Sequence, residues 1–148
     1  MSHQPYVLLA GAVHLLREQD GKTQILLARR CGNITGAGMW EFAGAGHIEQ
    51  GESILRGTQR EAQEELGITF DEKDIIFTTS NYQHSNGFRY HHHYFIKKWK
   101  GTPSIGEPDK RDKLEWFDLD KIPSELFSDT KQAIENFINN TSHSEYGF

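Results

Sequence analysis

The chain has 148 residues, with 16 Lys plus Arg against 21 Asp plus Glu, a formal net charge of −5 and a single cysteine, Cys31. That length fits one domain and suffices to bury a core without staples. The lone cysteine excludes an intramolecular disulfide and fits a reducing compartment, and the acidic balance excludes a dedicated duplex-binding protein, which carries a basic face. A small phosphorylated ligand stays open, because net charge is not local charge.

Tyr6 to Leu16 reads as a first strand, apolar enough to be buried on both faces. Its longest nearly unbroken apolar run, Tyr6 to Val13, is far short of the ~20 residues a spanning helix needs. Ahead of it, Met1-Ser2-His3-Gln4-Pro5 lacks a basic region followed by an apolar core, so no secretory signal is read and a cytoplasmic protein is expected. Asp20-Gly21 is a hairpin signal, and Gln24 to Arg30 is the return strand. Glycines then crowd the stretch from Cys31 to Gly51, which reads as loop with short extended pieces at Trp40-Glu41-Phe42 and Gly46-His47-Ile48.

Ser53 is an N-cap residue, apolar positions recur at helical spacing from Ile54 to Leu66, and Gly67 stands where a C-terminal glycine belongs. Ile75 to Gln83 and Arg89 to Trp99 read as strands that pair across Ser85-Asn86-Gly87, and Leu114 to Phe117 as a short strand. Ser124 to Asn139 reads as the last helix, and the polar residues from Asn140 onward as a frayed tail. The expectation is a single mixed α/β layered domain over residues 1–148, with a core from about residue 5 to residue 139.

The chemistry gathers on the first helix. Glu61, Glu64 and Glu65 stand at i, i+3 and i+4, so their carboxylates share one face near the negative end of the helix dipole. Like charges at that spacing repel by a few tenths of a kcal/mol, and an acid at a helix C-terminus costs roughly 0.3 to 1 kcal/mol. Cations must offset this. Arg60 can supply one charge, and hard oxygen ligands on a rigid helix suit Mg²⁺ or Mn²⁺. Glu52 can join from the preceding loop, where glycines such as Gly46 let the backbone approach a ligand closely. A solvated acidic helix face is the plainer reading of Glu61, Glu64 and Glu65 taken alone.

Gly46, Glu52, Arg60-Glu61-Ala62, Glu64-Glu65 and Gly67-Ile68 resemble the Nudix box in every defined position and at its fixed spacing. Trp40-Glu41-Phe42 before the box, and Leu114 to Leu119 with Ile122-Pro123 after it, are similar to flanking features of MutT-like members. The resemblance runs from about Tyr6 to Ile138. One departure is the entry loop: Phe42-Ala43-Gly44-Ala45-Gly46 replaces the family's Pro-Gly-Gly.

The resemblance implies an α/β/α sandwich with a mixed β-sheet and a Mg²⁺-dependent (or Mn²⁺-dependent) pyrophosphohydrolase of a nucleoside diphosphate-linked substrate. The leading choice is a nucleoside triphosphate, canonical or oxidised, cleaved to monophosphate and pyrophosphate. Alternatives are a nucleotide sugar, a dinucleotide, an RNA end, or a non-catalytic nucleotide-binding domain. Glu61, Glu64 and Glu65 would bind metal, Gly46 would supply a carbonyl or a tight turn, Arg60 would orient the glutamates and Glu52 would support them. Glu64 is the first choice of general base and Glu61 the second. A further metal-binding acid is expected downstream: Glu107, with Asp109 and Asp112 as alternatives. The partner is a small-molecule nucleotide rather than a nucleic acid duplex or membrane, and the resemblance allows a homodimer.

Arg30 and its neighbour Arg29 are candidates for phosphate contact, with a solvent-facing pair at a strand end the competing reading. In His91-His92-His93, His91 and His93 face one way with Arg89 and Phe95, and His92 faces the other way. A structural or substrate-facing role is favoured over zinc, with His91 or Phe95 touching a base if that face lines the pocket. Ser128 or Asp129 is read as the cap of the last helix; by the resemblance Asp129 is a candidate reader of a base edge.

Overall fold

A computed structural model describes residues 6–148. The N-terminal pentapeptide read above for a targeting signal lies outside the described residues. The elements in order are β1 (Val7–Gln19), β2 (Lys22–Arg30), β3 (Trp40–Phe42), β4 (Gly44–His47), α1 (Ile54–Leu66), a short 3-10 turn (Glu72–Asp74), β5 (Ile75–His84), β6 (Phe88–Ile96), β7 (Arg111–Asp118), α2 (Ser128–Ile138) and β8 (His143–Tyr146).

The eight strands form one mixed sheet in the order β3-β2-β1-β6-β5-β8, with β4 added on β1 and β7 on β2. β1 runs parallel to β6, and β5 parallel to β8; the other pairs are antiparallel. β1 changes partner along its length, from β4 at Ala10–Val13 to β2 at Leu16–Gln19. The two helices cover opposite faces, as the alternation along β1 shows. Val13 and Leu15 pack with Ala62 and Leu66 of α1, while Leu16 joins Ala133 and Ile134 of α2. No described helix is long and apolar enough to cross a membrane.

The β1–β2 turn carries Asp20 at φ 52° and Gly21 at φ 77°, the two successive positive values of a type I′ hairpin. Ser53 caps α1 by accepting the Arg56 N–H, and Gly67 ends it in the left-handed region at φ 71°. Gly11 lets α1 sit on β1, since a Cβ there would stand 1.8 Å from the Thr58 hydroxyl oxygen.

Four expectations are corrected. The start of β1 is not buried on both faces: Leu8 is 49% and Leu9 40% exposed, because α1 covers the sheet only from Gly11 onward. β7 spans eight residues, because it follows β2 from Gln24 to Arg30. The last helix begins at Ser128, not Ser124. Leu126 instead bridges to Trp40, and the Phe127 N–H bonds the Trp40 carbonyl, so tertiary pairing holds these residues extended. The tail is not frayed. After Asn140, at φ 54°, the chain turns back and β8 adds to the sheet edge.

Candidate active site

A cleft of about 460 Å³ is lined by Ala10 of β1 and by residues of β2 to β7 and the start of α2. Its lining at one end is β4, with Arg30, Glu41 and Arg111 beside it, and at the other the β5–β6 hairpin with the start of α2.

Arg60 organises the acid face. Its Nε and Nη2 grip both Glu52 oxygens at 2.8 and 3.0 Å, and Nη1 donates to Glu61 at 2.9 Å and to Glu64 at 3.3 Å. Nη2 also donates to the His47 carbonyl at 3.1 Å, tying α1 to β4. The bidentate grip, with the Glu49 N–H on the same carboxylate, holds Glu52 ionised and lowers its pKa to about 2. Gly46 packs directly on this face: a Cβ there would stand 2.0 Å from the Glu61 carboxyl carbon.

Glu65 has a partner from far along the chain, Arg111 on β7. Arg111 Nε also donates to Glu41 at 3.1 Å, and Arg30 Nη1 donates to the other Glu41 oxygen at 2.9 Å. Glu41, 2% exposed, thus bridges two guanidiniums that both line the cleft. The Arg30 guanidinium also stacks over Phe127 at 4.6 Å.

Two guanidiniums do not neutralise this many acids. Burial, with Glu107 and Glu61 nearby and only partly opposed by Arg111, raises the Glu65 pKa to about 7. Burial likewise raises the Glu61 pKa against the pull of Arg60. Glu107 is brought here by backbone bonds, since Gly106 N–H bonds the Glu65 carbonyl and Ser104 N–H bonds the Leu66 carbonyl at the end of α1. Asp112 is drawn away into a two-point pair with Arg29 at 2.7 and 2.9 Å, which removes Asp112 from the metal face and Arg29 from the cleft. Among the described residues no three acidic or imidazole groups converge on one point, the Glu61, Glu64 and Glu65 oxygens being engaged by Arg60 and Arg111.

The other end of the cleft is a polar network around one acid, with Arg89 of β6 in the same lining. Asp129 does not cap α2; the N-cap position is Phe127 and no side chain caps it. Instead Asp129 Oδ1 accepts from Gln83 Nε2 at 2.8 Å and from the Tyr146 hydroxyl, and Oδ2 lies 3.3 Å from His91 Nδ1. Burial lowers the His91 pKa, with Asp129 opposing, so the ring is neutral at pH 7. Phe95 is not at the cleft: it is fully buried and stacks on Phe137 of α2. His93 is also in the core, its Nδ1 2.9 Å from His14 Nε2.

The structure therefore brings Gly46, Glu52, Arg60, Glu61, Glu64 and Glu65 together, with Glu107 alongside, and sets Arg30, His91 and Asp129 in the same cleft. Sequence reasoning missed Glu41, Arg111, Gln83 and Tyr146. The only local signal was a buried-strand position, Glu41, occupied by an acid.

The NUDIX domain model matches residues 7–137. A CTP pyrophosphohydrolase of Escherichia coli (strain K12) is 53% identical over 51 residues, 34% of this chain and 36% of that protein. An 8-oxo-dGTP diphosphatase of the same organism is 29% identical over 114 residues, 76% of this chain and 85% of that protein. The chain matches 60% of the length of two isopentenyl-diphosphate Delta-isomerases, so it spans well under two thirds of the first curated relatives it resembles. The crystal structure of a MutT NUDIX hydrolase from Burkholderia pseudomallei superposes with a TM-score of 0.72 at 27% identity, over 88% of this chain and 97% of that one.

Proposed function

The chain belongs to the NUDIX domain family, and on that premise we propose that it is a divalent-metal-dependent pyrophosphohydrolase of a nucleoside triphosphate. The observation that carries the reading is a cleft in which Gly46, packed directly against the Glu61 carboxylate of the acid face, shares a lining with two arginines and the polar Asp129 end. The anions outnumber the guanidiniums, and Glu61 and Glu65 have raised pKa values, so the face lacks positive charge that Mg²⁺ or Mn²⁺ would supply. Glu61, Glu64, Glu65, the Gly46 carbonyl and Glu107 would hold it. A bound divalent ion neutralises a diphosphate and lowers the pKa of water.

The chain's own residues divide the remaining work. Arg60 keeps Glu52 ionised and fixes Glu52 and Glu61 in position. Glu64 is 61% exposed and touches only Arg60, at 3.3 Å, which leaves it free to accept a proton from water. Arg30 and Arg111, held apart by Glu41, keep donors free for phosphate oxygens. The Asp129 end accepts the base. The similarity to a CTP pyrophosphohydrolase and an 8-oxo-dGTP diphosphatase supports a free nucleotide, canonical or oxidised. The single Cys31 fits a reducing cytoplasm.

The test is a screen of the purified chain with Mg²⁺ against canonical and oxidised nucleoside triphosphates, nucleotide sugars and dinucleotides, read by coupled phosphate release. One triphosphate should turn over, and Glu64→Gln should be at least ~100-fold slower. Absence of turnover with Mg²⁺ and with Mn²⁺ would overturn the reading in favour of a nucleotide-binding domain.

A further inference from the structure

β8 lies beyond the part of the chain that the family model matches, which stops at residue 137. It is nevertheless firmly seated. Four register pairs join it to β5, from Ser80–His143 to Gln83–Tyr146. Side chains pin it further: Ser80 Oγ is 2.6 Å from His143 Nδ1, and Ser144 Oγ accepts from Asn81 at 2.9 Å and Asn136 at 3.0 Å. The consequence is local to one atom. Tyr146, half-buried, delivers its hydroxyl to Asp129 Oδ1, the oxygen that already accepts from Gln83.

We propose that β8 is a specificity-determining addition to the domain, and that Tyr146 is a positioning residue which, with Gln83, occupies one Asp129 oxygen and leaves the other to read an N–H donor on the nucleobase. This rests on the reading of the cleft as a nucleotide site. The Asp129 carboxyl plane is set by χ1 and χ2; two donors on Oδ1 restrict both and leave Oδ2 beside the neutral His91 ring, 3.3 Å from its Nδ1. Among the described residues the polar partners of Asp129 are Gln83, Tyr146 and His91, and Arg89 lines the same cleft. Base-edge recognition at such a site is steep because a mismatched ligand leaves the buried carboxylate oxygen unsatisfied.

The experiment compares wild type, Tyr146→Phe and Gln83→Leu. Each is titrated calorimetrically, without metal, with nucleoside monophosphates of the four bases, and assayed with Mg²⁺ on the corresponding triphosphates. Wild type should prefer one base. Tyr146→Phe should weaken Kd and raise KM for that base about 10-fold, compress the differences among bases, and move kcat by less than ~2-fold. Gln83→Leu removes the second donor from the same oxygen, should show the same split, and decides the matter if Tyr146→Phe does not fold. An unchanged base ranking in folded variants, or no base preference in wild type, overturns the proposal. Base-selective binding by a wild type that cleaves nothing overturns the hydrolase reading alone and leaves Tyr146 to be judged on Kd.

Discussion

Beside one end of the cleft, carboxylates from α1 and the loop before it are held by Arg60 within thirteen residues of chain, from Glu52 to Glu64. At the other end, Gln83 of β5, His91 of β6, Asp129 of α2 and Tyr146 of β8 meet from four separate elements. The first end is charged, and its acids share a face because a helix repeats every 3.6 residues. The second carries one carboxylate and the Arg89 guanidinium, and it depends on the sheet placing β8, β5 and β6 side by side. The acid face is thus written largely in local spacing, and the Asp129 network in the topology. Glu41 joins the two regimes: it is a β3 residue whose partners come from β2 and β7.

The comparison breaks most sharply at Glu41. Glu41→Ala leaves Arg30 and Arg111 buried without their shared acceptor, and should cost about 3 to 5 kcal/mol in chemical denaturation. A loss under ~1 kcal/mol would show that the two ends are independent of this bridge. Arg60→Lys comes next. An ammonium cannot grip Glu52 at two points while reaching Glu61 and Glu64, so kcat/KM should fall about 100-fold with KM for the preferred triphosphate little changed.

The histidine pair in the core and the acid face titrate oppositely. His14 is buried and its pKa is lowered to about 3, while its unfolded value is 6.5. The folded state therefore binds fewer protons in that window, and stability, full above pH 6.5, is lost by about 1.4 kcal/mol per pH unit as pH falls below it. His93 shifts in the same direction by burial, with its histidine neighbours adding to it. Glu65 behaves in reverse. Its pKa is raised from 4.5 to about 7, so its contribution is full below pH 4.5 and lost as pH rises through 7. Thermal melts of His14→Phe should flatten the acid limb, and melts of Glu65→Gln should flatten the fall in stability from pH 4.5 to 7. A common profile for both variants would contradict the assignment. The smallest effect is expected at Asp129→Asn, with KM about 10-fold higher and kcat little altered, read by steady-state kinetics on the preferred base.

Local signals were enough for α1, its caps Ser53 and Gly67, both hairpin turns and the acid face, because each depends on residues within a few positions of one another. They failed from Ser124 to Phe127, where helical periodicity lost to pairing with Trp40. They failed again after Asn140, where a polar sequence is held by hydrogen bonds to β5 rather than by apolar burial. Among the three downstream acids, composition offered no choice; backbone bonds to the end of α1 bring Glu107 to the site, and Arg29 takes Asp112 away.

The sequence by itself determined the family and the helix that bears the carboxylates, since helical geometry converts spacing directly into a shared face. Only the tertiary structure decided which arginines face the cleft, that Asp129 receives donors rather than capping a helix, and that the last strand completes its surroundings. Those contacts join residues up to 81 positions apart, as Arg30 and Arg111 meet across Glu41. Chain spacing carries no information about such meetings; the order of strands in the sheet does.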